Sequence, residues 1–180
     1  QDGIRDSVAS RGLGDVYKRQ GTNNINVDDC SEKGVIVFNT PGANANAVKE
    51  MVICALILSK RDLVSGNKNL DSIDTENMND EEISKKIESM KKEFVGEEIR
   101  GKNLSIIGLG AIGSMVAEQA INLGMKVKAY DPGLTVDIAL GLPSSLERCD
   151  SMESCFGDAD YVSLHIPLNS STEGIINLSL

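Results

Sequence analysis

The chain is poor in the residues from which metal centres, disulfide frameworks and membrane anchors are built. It has one histidine, His165, and four cysteines, Cys30, Cys54, Cys149 and Cys155, none of them in a CxxC pair. A zinc site or a disulfide scaffold is not expected from that set, so the metal expectation is none and the thiols read as reduced, packed side chains. The longest apolar run, Met51 to Leu58, is far shorter than the roughly 20 residues a membrane span needs. No basic start followed by an apolar signal core precedes it. Cytosolic location and no membrane partner are the default expectations. Basic residues are also in deficit: 18 against 27 acidic, a net charge of −9. That balance repels a phosphate backbone and argues against nucleic acid as a general partner, though it leaves room for a small anion at a local site. There is no internal repeat and no low-complexity tract.

The 180 residues, 41% of them apolar, suffice for one domain, or one domain and a piece of another. Residues 1–20 mix Gly, Ser, Asp and Arg without periodicity and read as a foreign or disordered leader. From Gly21 the pattern becomes regular. Asn26 caps a short helix over 27–33. Val35-Ile36-Val37-Phe38 is a continuous apolar run that predicts a buried strand, ended by Pro41-Gly42. Residues 44–61 predict a helix, apolar almost all round over 51–58 and so buried between layers. Residues 67–79 are polar and predict a loop. Asn79 and Glu82 form a capping box for a helix with the stripe Ile83, Ile87, Met90 and Phe94. After residue 103 strands and helices alternate: strand 104–107, helix 111–123 stopped by Gly124, and strand 126–130. An ambiguous stretch follows over 134–149, with a short strand near Leu142, then a helix near 151–156 and a strand over 161–166. That succession predicts an α/β fold with a doubly wound parallel sheet.

The chemistry is concentrated in Gly108-Leu109-Gly110-Ala111-Ile112-Gly113. GxGxxG alone is weak evidence. Here it follows an apolar strand, opens an amphipathic helix, and is followed about 20 residues on by an acid, Asp131, at the end of the next strand. Gly108 permits the turn out of the strand, Gly110 the close approach of a diphosphate, and Gly113 the packing of helix on sheet. Backbone N–H groups at Ala111 and Ile112, with the positive end of the helix dipole, suit the phosphates. Asp131 suits ribose hydroxyls and repels a 2′-phosphate. Since Pro132 and Gly133 follow, with no arginine, NAD is favoured over NADP. His165-Ile166-Pro167 ends the last strand, across the sheet's switch point from the glycine turn. His165 finds no acid with a clear claim to pair with it, and reads as a cleft-lining residue rather than a general base.

Four stretches carry a resemblance to a known family: GTNNINVDDCSEKGVIVFNTPGANANAVKE (21–50), GKNLSIIGLGAIG (101–113), GMKVKAYDP (124–132) and DYVSLHIPLNSSTEGIIN (160–177). Together they resemble the D-isomer-specific 2-hydroxyacid dehydrogenases, and the first stretch is most similar to the D-3-phosphoglycerate dehydrogenases among them. The resemblance implies two domains: 21–42 as the end of a flavodoxin-like substrate-binding domain, and 43–180 as an incomplete Rossmann-type NAD-binding domain. It implies cofactor contacts at Ala111, Ile112, Asp131, His165, Ile166, Pro167 and Thr172. It places Gly21, Thr22, Asn23 and Asn24 beside the substrate, with Asn44 and Glu50 at positions usually polar and acidic. The implied substrate is a small phosphorylated hydroxy acid, and the implied parent is a homo-oligomer. The family's catalytic arginine and histidine–glutamate pair are expected beyond Leu180, so no catalytic residue is assigned here and the chain itself is expected to be inactive. Two alternatives stay open. One is a sibling enzyme acting on another 2-hydroxy acid, such as glyoxylate or lactate. The other is a non-catalytic NAD-sensing protein on the same fold.

Overall fold

The computed structural model describes residues 25–38 and 42–177. The chain divides into two compact units between Asn46 and Ala47. In the first, helix α1 (Val27–Glu32) begins at Asn26, whose side-chain oxygen accepts the Asp29 N–H at 3.2 Å; Asp28 and Asp29 complement the helix dipole. The segment 35–38 is not a strand. It has no regular structure, and Ile36 and Phe38 are 76% and 81% exposed. A strand exists only where a neighbour accepts and donates along its edge, and among the described residues no strand pairs with this run; the Val35 N–H donates instead to the Cys30 carbonyl at 2.8 Å. Residues 1–24, including Gly21, Thr22, Asn23 and Asn24, lie outside the described residues.

Helix α2 (Ala45–Leu58) crosses the unit boundary. Its apolar 51–58 stretch is buried on one side only: Leu56 enters the main core with Val52 and Ile53 against it, while Met51 is 69% exposed. The expected all-round burial is therefore not found among the described residues. The polar stretch after it holds an unexpected helix, α3 (Leu63–Asp71), opened by Asp62 accepting the Ser65 N–H at 3.0 Å. Gly66 and two asparagines mask it in sequence, because each has poor helix propensity. The cap and the packing of Phe94 over Gly66 outweigh them. Helix α4 (Asp80–Lys91) has the full Asn79/Glu82 capping box, each side chain meeting the other's N–H at 3.0 Å.

The rest is a four-stranded parallel sheet: β1 (Asn103–Ile107), β2 (Lys126–Tyr130), β3 (Glu147–Arg148) and β4 (Tyr161–Leu164), in the order β3-β2-β1-β4. Three more helices connect them: α5 (Ala111–Asn122), α6 (Val136–Gly141) and α7 (Met152–Phe156). The ambiguous 134–149 stretch resolves into α6, capped by Thr135, with the third strand at 147–148 rather than near Leu142. β1 lies between β2 and β4 and is almost wholly buried, as Leu104, Ile106 and Ile107 require; Ser105, buried among them, donates its hydroxyl to the Cys155 carbonyl. Val116, Ala117 and Ala120 of α5 pack with Leu104, Ile106, Val127 and Ala129 into the main core. Burying a side chain such as Val116 stabilises the fold by roughly 1.5–3 kcal/mol. The strand order reverses between β1 and β4, so a switch-point crevice opens past their C-terminal ends.

Candidate functional site

The register of the sheet sets the site. Ile107 pairs with Tyr130 on one side and with Leu164 on the other. The next residue of each strand, Gly108, Asp131 and His165, therefore emerges at one level along the C-terminal edge. Gly108 still belongs to the ladder, donating its N–H to the Tyr130 carbonyl at 2.9 Å, and the His165 N–H donates to Ile107 at 2.7 Å.

The three glycines have different reasons to be glycine. Gly108 has φ +93°, a left-handed conformation, and a Cβ there would stand 2.6 Å from the His165 carbonyl oxygen and 2.8 Å from Ile166 Cγ2. The turn and the end of β4 are in direct contact, so the sequence-derived pairing of these two segments is met in space. At Gly113 a Cβ would fall 1.9 Å from the Gly108 carbonyl oxygen and 3.5 Å from His165 Cβ. What excludes a side chain there is the Gly108 carbonyl at the start of the turn, while His165 Cβ stands at ordinary contact distance. Gly110 has an ordinary φ of −69°, and a Cβ would meet nothing within 4 Å. Its missing side chain faces open space, the room a close-approaching anion needs.

That space lies at the start of α5, which has no side-chain cap. The first N–H groups of a helix have no intrahelical acceptor, and the dipole makes this end positive. Gly110 and Ala111 are exposed, Ile112 is half-buried and Gly113 is buried. Main-chain amides at a positive helix end suit an anion such as a diphosphate.

Asp131 does more than the sequence suggests. Its Oδ2 accepts the Leu109 N–H at 2.7 Å and its Oδ1 accepts the Gly133 N–H at 2.8 Å. The carboxylate thus tethers the glycine turn to the end of β2. Each oxygen keeps a second lone pair that can accept a hydroxyl. Ser114 was not apparent from sequence. Its hydroxyl meets the Leu109 carbonyl at 2.9 Å and the Gly110 carbonyl at 2.8 Å, holding the turn from the helix side. The available signal is a serine four residues into the helix from Gly110, where it bonds back to the i−4 carbonyl.

On the β4 side, His165 Nε2 lies 2.9 Å from the Ser163 hydroxyl. Burial holds the imidazole below its ordinary pKa, which favours the neutral ring. Among the described residues its side-chain hydrogen bond is to a hydroxyl, not a carboxylate, which fits a cleft-lining group. Pro167 and Thr172 close the next turn: the Thr172 hydroxyl donates to the Pro167 carbonyl at 2.6 Å and accepts the Asn169 N–H at 2.9 Å. Ile166 is half-buried and Pro167 exposed at the mouth of this edge. Among the described residues no group of three His, Cys, Asp or Glu side chains gathers that could hold a metal ion.

Comparison with known proteins fits this architecture. The sequence pattern described as "D-isomer specific 2-hydroxyacid dehydrogenase, NAD binding domain" matches residues 63–180. A hydroxypyruvate reductase from Thermotoga maritima is 36% identical over 157 residues, covering 87% of this chain and 45% of that protein. A D-3-phosphoglycerate dehydrogenase from Methanocaldococcus jannaschii is 32% identical, over 87% of this chain and 27% of the relative. Among solved structures, the apo form of D-lactate dehydrogenase from Escherichia coli superposes with a TM-score of 0.67 at 26% identity, covering 88% of this chain and 44% of that one. The NAD-complexed D-isomer-specific 2-hydroxyacid dehydrogenase from Lactobacillus delbrueckii ssp. bulgaricus gives 0.62 at 28%, covering 89% and 43%. The chain spans less than half the length of each of these relatives. With a glycine turn against an uncapped helix start, an acid closing the adjacent strand and a family pattern over most of its length, the chain belongs to the D-isomer-specific 2-hydroxyacid dehydrogenases, and the domain it carries is their NAD-binding domain.

Proposed function

We propose that this chain is the cofactor-holding portion of an NAD-dependent dehydrogenase that oxidises 3-phosphoglycerate to 3-phosphohydroxypyruvate, the entry step of serine synthesis. The observation that carries the cofactor half of this reading is the open space at Gly110 in front of the uncapped start of α5, with the Asp131 carboxylate at the same edge. The amides of Ala111 and Ile112 hold the diphosphate. Asp131 accepts ribose hydroxyls while keeping the turn in place through Leu109. His165, Ile166, Pro167 and, more distantly, Thr172 line the far wall. NAD supplies hydride acceptance when bound; the chain's own residues bind it, orient it and exclude water from one side. The catalytic arginine and the histidine–glutamate pair are assigned to parts of the relatives that this chain does not cover, and 43–180 to the cofactor domain. Residues 21–42 are assigned to the end of the substrate domain, where Gly21 to Asn24 border the substrate carboxylate. A soluble cytoplasmic homo-oligomer is the parent this reading implies.

The phosphorylated substrate rests on the similarity of residues 21–50 to phosphoglycerate dehydrogenases, which recur among the relatives. A second reading, an unphosphorylated 2-hydroxy or 2-keto acid, is favoured by the 36% identity to the hydroxypyruvate reductase. Two experiments test the proposal. Calorimetric titration of the chain should show NAD bound at least about tenfold more tightly than NADP, a difference of about 1.4 kcal/mol; equal affinities would refute the role of Asp131. Turnover by the enzyme encoded by the full gene should favour 3-phosphoglycerate over lactate and glyoxylate. The reverse preference would move the assignment to the second reading.

A further inference from the structure

Alternate residues of a strand share a face. Along β4 these are Tyr161, Ser163 and, just beyond the strand, His165, whose N–H continues the ladder to the Ile107 carbonyl at 2.7 Å. Tyr161 packs on the main core, which includes Val116, Ala117 and Ala120 of α5. Ser163 and His165 therefore stand on the α5 side of the sheet. Gly113 agrees with that placement, since a Cβ there would lie 3.5 Å from His165 Cβ. The imidazole thus belongs beside the first turn of α5, the helix start that has no side-chain cap.

The two ring nitrogens have different surroundings. Nε2 meets the Ser163 hydroxyl at 2.9 Å. Nδ1 has no partner among the described residues, yet it is not shut off from solvent: the one side-chain nitrogen or oxygen there that is both buried and unpartnered is the Tyr161 hydroxyl. Burial holds the ring below its usual pKa, so at neutral pH one nitrogen carries a proton and the other accepts. Which nitrogen is protonated is set by the bond the other one makes. Among the described residues Ser163 makes no other side-chain hydrogen bond. A hydroxyl that donates to Nε2 satisfies both its own proton and the Nε2 lone pair, and leaves Nδ1–H as an open donor. The opposite arrangement leaves the hydroxyl proton and the Nδ1 lone pair unmatched, and offers an anion a lone pair instead of a proton.

We propose that Ser163 is a positioning residue of the cofactor site: its hydroxyl donates to His165 Nε2, holds the ring as the Nδ1–H tautomer, and so makes His165 an uncharged donor to an anionic oxygen of the bound dinucleotide. This role rests on the reading of the glycine turn as a dinucleotide site. Ser163 itself touches no ligand; it acts through the ring. The diphosphate then has amide donors on α5 and one ring N–H from the end of β4.

His165 is the only histidine, so its ring can be read alone. The test is two-bond proton–nitrogen correlation NMR of the isotope-labelled full chain, without cofactor and well above the histidine's pKa. The expected spectrum has the proton on Nδ1. Ser163→Ala should move it to Nε2, the tautomer an unconstrained histidine prefers, and Ser163→Thr should return it to Nδ1. In calorimetry Ser163→Ala should bind NAD about fivefold more weakly, the worth of one neutral hydrogen bond, with Ser163→Thr close to wild type. A wild-type proton on Nε2 overturns the proposal without recourse to any variant, so a misfolded Ser163→Ala leaves it testable. An alanine variant with the tautomer unchanged also overturns it, as does one with the tautomer shifted and NAD affinity intact. A wild-type chain with the Nδ1 proton but no NAD uptake overturns the dinucleotide reading, and the donor role with it; the spectrum tells the two failures apart.

Discussion

At the residue scale, glycines that look alike in the sequence separate by what surrounds them. Gly113→Ala forces a methyl into the Gly108 carbonyl, so the turn must move. A stability loss of about 1–3 kcal/mol and loss of NAD binding are expected together, read by thermal unfolding and by calorimetry. Gly110→Ala meets empty space and an ordinary φ. Its stability should stay within about 0.5 kcal/mol of wild type. NAD affinity should nevertheless fall, because the new methyl occupies the room left for the diphosphate. Unchanged affinity in that variant would mean that the space is not a ligand site. His165 gives a pH signature. Burial depresses its folded pKa below the usual value of about 6.5, so the unfolded chain binds the proton more readily. The histidine's contribution is intact above that value and is lost as pH falls below it. Denaturant midpoints should drop from pH 7 to pH 5.5, and His165→Asn should flatten that slope. Since His165 is the only histidine, no other imidazole confuses the comparison.

At the element scale, caps and periodicity predicted α1, α4, α5 and α7, because the signals that start these helices are local: an Asn or Ser side chain at the right offset, or a glycine turn. Asn79→Ala removes the side-chain oxygen that accepts the Glu82 N–H, one half of the α4 capping box, and should cost about 1 kcal/mol, measurable as a lower urea midpoint with an unchanged slope. Helix α3 escaped notice because Gly66 and two asparagines obscure a helix that depends on the Asp62 cap and on the Phe94 contact. The run 35–38 misled in the other direction. Apolar residues in sequence show a capacity to be buried, not the presence of a partner strand to bury them.

At the scale of the whole molecule, β3 and β4 are the edges of the sheet among the described residues. β4 carries Val162 and Leu164, 49% and 46% exposed, beside an unpaired row of backbone groups. Concentration-dependent self-association is expected, and Val162→Lys should reduce it in light scattering while leaving the glycine turn unaltered. The α/β alternation, the glycine turn, the acid after β2 and the NAD-binding character of the domain were all legible in the sequence, since each rests on near-neighbour spacing and residue chemistry. Only the folded chain decided the rest. It set Asp131 on the Leu109 amide, closed the Ser114 hydroxyl over the turn and pressed Gly108 onto His165. Several of these contacts join residues far apart in the chain, and even the near ones depend on how neighbouring strands and helices pack. They are fixed by strand order and register, which no local pattern encodes.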